Sequence, residues 1–179
     1  HDHIVAVCKD LVMRYAVDGL HMDYVRFVSD TMKDPAAFPG DPESIKLFEQ
    51  ATGKTMSTSP EGQAAFRDFK RQRITDLVRR IRKEAVQMRP GVAFTAAVWR
   101  RPDLGRETYL QDGAVWLNEG TLDLACPMIY TADDKQFAGD LAAWQAAAPG
   151  KPIAPGMGIY LHKPGASDSQ LVLCDAGRT

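Results

Sequence analysis

Only three cysteines, Cys8, Cys126 and Cys174, occur in 179 residues. An odd count closes no full set of disulfides, and none of the three has the paired spacing of a zinc site. Free thiols are the expectation, and nothing in the pattern calls for a metal or another cofactor. Charge of one sign is not in excess either, with 22 basic residues against 23 acidic ones. That balance argues against a global attraction to nucleic acid or to an anionic membrane. No apolar run reaches the length of a membrane span, and no basic-then-apolar leader opens the chain. Glycine-rich phosphate loops are missing after every candidate strand, which argues against a nucleotide-binding open sheet.

The most informative segment is 18–26, DGLHMDYVR. Alternation along a strand puts Asp18, Leu20 and Met22 on one face and His21 and Asp23 on the other. Asp23 falls at the strand's exit, just before a long polar stretch. In a parallel α/β barrel that end carries the chemistry. A carboxylate there, with an imidazole on the same face and Tyr24 and Arg26 beside it, is a candidate catalytic group. The structural alternatives stay open: a strand-terminal Asp often ties down a turn, and His21 suits a hydrogen-bonded core position.

The remaining pattern repeats one unit. Ile4, Cys8, Leu11, Val12 and Tyr15 follow helical spacing before the strand at 17–23. Residues 27–60 read as a long insertion loop, broken by Pro35, Pro39, Pro42 and Pro60, with a short helix over 42–50 closed by Gly53. A long helix over 60–88 follows, with Phe66, Phe69, Leu77, Ile81, Ala85 and Met88 as its apolar stripe. Its basic residues, among them Lys70, Arg71, Arg79 and Arg82, read as a solvated outer face rather than a nucleic-acid surface. Strands are expected at 92–99, 122–130 and 152–159, and helices at 111–119, 134–148 and after Ser167. Alternation of this kind means a parallel sheet. Aromatic groups at three strand ends, Trp99, Tyr130 and Tyr160, favour a barrel with one shared mouth. A complete barrel needs about eight strands, and four are visible. Residues 1–179 therefore read as one incomplete (β/α)8 domain, strands four to seven with flanking helices, whose two sheet edges await the other strands of a parent chain.

Segment 15–27, YAVDGLHMDYVRF, resembles the strand-four signature of the glycosyl hydrolase-like family ten barrels, a bacterial group distinct from the xylanases that share the number. Segment 111–130, QDGAVWLNEGTLDLACPMIY, is similar to the family's second signature, a Trp-containing helix leading into a strand that ends Pro-x-x-Tyr. Segment 155–160, PGMGIY, looks like its strand-seven element. The resemblance implies a (β/α)8 barrel acting on glycosidic bonds in an exported protein, extracellular or periplasmic. By position, Asp23 matches the acidic residue at the strand-four exit, His21 its imidazole neighbour and Tyr130 the aromatic at the strand-six exit. One departure is plain: the family's second acidic residue falls here on Tyr24.

Glycoside cleavage ordinarily takes two carboxyl groups. Asp23 supplies one, as acid/base or electrostatic group, with His21, Tyr24, Arg26, Trp99, Tyr130 and Tyr160 as the expected sugar-binding residues. The aromatics among them also suit plain barrel packing. A second carboxylate is not evident. Asp103, Asp133 and Asp134 lie in loops or at a helix start, where capping is the commoner role. A non-catalytic carbohydrate-binding barrel, or a truncated segment inactive by itself, are the competing expectations.

Overall fold

The computed structural model describes residues 1–27, 40–162 and 168–176. Residues 28–39 of the expected insertion loop lie outside these. Helix α1, Asp2–Arg14, leads into strand β1, Gly19–Met22. Helix α2, Pro42–Thr52, starts where the Asp41 side chain accepts the Ser44 N–H and stops at Gly53, whose φ of 67° is left-handed. Helix α3, Pro60–Glu84, starts on the Ser59 hydroxyl in the same way. Both begin with proline, which is preset for the first helical turn and needs no partner for its nitrogen there. Strand β2, Ala93–Val98, is followed by two short helices, α4 (Pro102–Thr108) and α5 (Gly113–Asn118). Strand β3, Leu124–Ile129, helix α6, Asp134–Ala147, strand β4, Gly156–Met157, and helix α7, Asp168–Ala176, complete the order.

The four strands are parallel and stand side by side in chain order. His21 pairs with Thr95, Thr95 with Leu124, and Met128 with Gly156. One face of the sheet carries the core. Leu20, Phe94, Ala96, Val98 and Ala125 pack there against Val5, Cys8 and Val12 of α1 and Leu77, Val78 and Ile81 of α3. Trp116 of α5 and Trp144 of α6 join them. A doubly wound sheet would place helices on both faces; among the described residues they cover one, as in half of a β/α barrel. Both buried indoles keep a hydrogen-bond partner, Trp116 Nε1 on Thr75 Oγ1 at 2.9 Å and Trp144 Nε1 on the Trp99 carbonyl at 3.1 Å. Gly113 lets α5 rest on β2, since a Cβ there would stand 2.8 Å from Val98 Cγ1.

Four expectations need correction. The buried stripe of α1 is Val5, Cys8 and Val12, whereas Ile4, Leu11 and Tyr15 are exposed. The helix meets the core along a narrow line, so a stripe drawn too wide takes in its flanks. Helix α3 ends at Glu84 rather than Met88, because Ala85 leaves helical geometry and residues Val86–Met88 form a separate 3-10 turn. Its basic residues are not simply solvated. Lys70 and Arg71 are buried, Arg79 grips Glu119, and Arg82 grips Asp123 through two hydrogen bonds. The expected strand over 152–159 shrinks to two residues plus a bridge between Ala125 and Ile153. Pro127 and Pro155 both lack the N–H that a continuous ladder there would use.

At the entry end of the sheet, one guanidinium gathers the join between α1 and β1. Arg89 donates from Nη1 to the carbonyls of Val12 and Tyr15, and from Nη2 to that of Val17.

Candidate functional site

Leu20 and Met22 turn to the helices, so His21 and Asp23 turn to the helix-free face. His21 Nδ1 lies 2.7 Å from Thr95 Oγ1, its register partner on β2. That contact orients the imidazole. The Asp23 side chain is 56% exposed. Its Oδ1 accepts the Tyr24 backbone N–H at 2.7 Å and stands 4.0 Å from Arg26 Nη1. Through the alternation of the four strands, Asp23 is the one carboxylate that the described strand exits present on this face.

The chain turns sharply after Asp23. Tyr24 takes a φ of 53°, uncommon for a large side chain, and Arg26 N–H closes on the Tyr24 carbonyl at 2.8 Å. Tyr24 is 70% exposed, while the Arg26 side chain is only 7% exposed. Its guanidinium carbon lies 4.2 Å from the Tyr24 ring centre, 5.5 Å from that of Trp99 and 5.9 Å from that of Tyr109. Trp99 and Tyr109 are themselves in contact, 3.8 Å between centroids. A cation held against three rings is attracted by their negative faces.

Gln111 fastens this group. Almost fully buried, it accepts the Trp99 N–H at 2.6 Å and donates to the carbonyls of Ala97 (3.2 Å) and Val25 (3.4 Å). Phe27 N–H adds a bond to the Tyr109 carbonyl at 3.1 Å. The exits of β1 and β2 are thus joined into one wall. Neither Tyr109 nor Gln111 was singled out by the sequence reading. The signal for them was the start of α4: Pro102 after Arg101 is a first-turn proline, and a helix there brings the chain back across Trp99.

Beyond β2 the site residues separate. Tyr130 follows β3, half exposed, with its ring over Gly156, where a Cβ would meet it at 3.1 Å. Tyr160 sits not at the end of β4 but in a following 3-10 turn, Ile159–Leu161, and is 78% exposed. Among the described residues no ring contact joins Tyr130 or Tyr160 to the Asp23 group.

The other candidate carboxylates are engaged elsewhere. Asp103 accepts two bonds from Arg101, which hold its carboxyl below the usual range against some desolvation. Asp133 caps α6 through the N–H groups of Lys135 and Gln136, and Asp134 accepts from Gln170 Nε2 at 3.3 Å. Asp140, buried, pairs with Arg100 at 2.5 Å. Desolvation pushes the Cys8 and Cys126 thiols up, away from the reactive thiolate. Among the described residues no group of three His, Cys, Asp or Glu side chains gathers as a metal site, and no helix is long and apolar enough to cross a membrane.

The arrangement offers one exposed carboxylate, a fixed imidazole, a sheltered cation and aromatic faces. Those are the parts that sugar recognition and acid/base chemistry use. No curated protein matches the chain. The family model for glycosyl hydrolase-like 10 matches residues 1–163. The chain belongs to that family, and its function is related to glycoside hydrolysis.

Proposed function

We propose that the chain supplies the Asp23 side of the active cleft of a glycoside hydrolase that cleaves O-glycosidic bonds in a poly- or oligosaccharide. The observation that carries this is the placement of Asp23, the exposed carboxylate at the β1 exit on the helix-free face, between the His21–Thr95 pair and the caged Arg26. Asp23 acts as acid/base or electrostatic group. His21 holds a sugar hydroxyl. Tyr24, Arg26, Trp99, Tyr130 and Tyr160 line the path of the glycan, with the rings set to stack on sugar faces. The second carboxyl comes from outside these four strands, or a substituent of the substrate itself takes its place. In this reading the sheet is strands four to seven of an eight-stranded barrel, the parent chain's other strands close it, and the parent acts outside the cytoplasm.

Full-length protein and its Asp23→Asn variant are compared on a panel of polysaccharides by release of reducing ends. The expected result is a loss of about 10²- to 10⁴-fold in the variant, the range for removing a positioned acid or base, with an unchanged melting temperature. Full activity in the variant sinks the assignment. A second reading, a barrel that binds carbohydrate without cutting it, is favoured by the engagement of Asp103, Asp133 and Asp134 in structural bonds. Saturable glycan binding by wild-type protein with no reducing ends released decides for it.

A further inference from the structure

Among the described residues, the buried Arg26 Nη1 has no hydrogen-bond acceptor. Asp23 Oδ1 is 4.0 Å away, beyond hydrogen-bonding reach, and already takes the Tyr24 N–H. The three rings around the guanidinium offset part of its lost hydration, but they are no substitute for an oxygen acceptor. A buried charged donor left in this state is rare in folded proteins and calls for an explanation. The cover over it is uneven. Trp99 and Tyr109 are half-buried and tilted against each other, whereas the Tyr24 ring lies on the guanidinium at 4.2 Å in a residue that is largely exposed. On the Tyr24 side the guanidinium lies beside Asp23.

We infer that Arg26 sets the substrate class of the Asp23 cleft: it receives the carboxylate of an acidic sugar, a uronic acid or similar residue, when Tyr24 lifts. This rests on the reading of the cleft as a sugar site given above. A planar carboxylate matches guanidinium geometry. A doubly charged phosphate would meet more repulsion from Asp23, so a single negative charge is the better fit. The adjoining rings take the sugar's apolar face while the cation takes its charge.

Two measurements test this in the full-length protein. The first follows the assigned Arg26 Nε–H cross-peak in ¹⁵N-labelled protein during titration with methyl glucuronoside, methyl galacturonoside, methyl glucoside and sodium acetate. A saturable shift with a uronoside, absent with the glucoside and with acetate at equal concentration, is expected. The same response to the glucoside, no response to either uronoside, or an equal response to acetate overturns the inference. The second compares acidic polysaccharides with their carboxyl-reduced forms. Arg26→Gln is expected to lower kcat/KM about tenfold to a hundredfold more on the acidic form than on the reduced one, the range for losing a charged hydrogen bond. An equal effect of Arg26→Gln on the acidic and the reduced forms, or none on the acidic form, overturns the inference and leaves the hydrolase reading standing. A uronoside shift without any cleavage does the reverse. The titration uses wild-type protein, so it decides the matter even where Arg26→Gln does not fold.

Discussion

The wall between β1 and β2 and the wall between β3 and β4 are built in opposite ways. At the first, Gln111 ties three backbone groups together and three rings enclose one cation. At the second, Tyr130 stands half exposed against Gly156 and Gly158 and Tyr160 largely in solvent, on a ladder of two residue pairs. The first exit is held by many contacts within the chain; among the described residues the second is held by few. Under the proposed reading, such a cleft would fix the reacting end of a substrate and leave the far end adaptable. The contrast also locates where substitutions should hurt.

The largest effect on stability is expected at Arg100. Its loss strands the Asp140 carboxylate, only 4% exposed, and Arg100→Ala should cost about 3–5 kcal/mol in urea unfolding, as for a broken buried pair. A cost below about 1 kcal/mol would show that the pair does not hold β2 to α6. Gln111→Ala comes next, with about 1–3 kcal/mol expected for the groups it leaves unpaired. The same variant should loosen Trp99, read as a red-shifted tryptophan emission. Unshifted emission would mean that the wall stands without Gln111.

Acid should act on the outer helices. Hydrogen bonds from Arg80 and Lys9 hold the Glu84 carboxyl down at about 2. Arg79 lowers that of Glu119. For Asp123, burial works upward but is outweighed by Arg82 and the Phe94 N–H. Carboxyls lowered on folding stabilise the fold above their unfolded values, 4.5 for Glu and 3.8 for Asp. That support is lost as pH falls from there toward 2. Melting temperature should therefore be flat above about pH 5 and fall below it, and Arg80→Gln should shallow the fall. An unchanged slope in that variant would remove Glu84 from the account. The smallest effect belongs to the second wall. Tyr160→Ala should change stability by less than about 0.5 kcal/mol, as for an exposed side chain away from packing; a larger loss would erase the contrast drawn between the two exits.

Much of the frame was legible in the chain. Period-two alternation assigned Leu20 and Met22 to one face and His21 and Asp23 to the other. Pro42, Pro60 and Asp133 marked three helix starts by local chemistry alone. What escaped depended on partners distant in sequence. Gln111 acquires its role only when Val25 and Ala97 arrive beside it, and nothing local distinguishes it from any polar loop residue. The exposed flanks of α1 looked apolar enough for a core because periodicity reports the side chains and not the width of the surface they meet. The brevity of β4 came from two prolines on neighbouring strands, each unremarkable by itself.

Arg89 gives the site a dependence on the far end of the sheet. By collecting the carbonyls of Val12, Tyr15 and Val17 it fixes where α1 hands over to β1, and so which residue of β1 meets Ala93. A strand slipped by a single residue exchanges its two faces. Asp23 would then be packed against the helices and Met22 would look into the cleft. The face that Asp23 takes thus also leans on contacts made a full strand length away, at the join that Arg89 ties down.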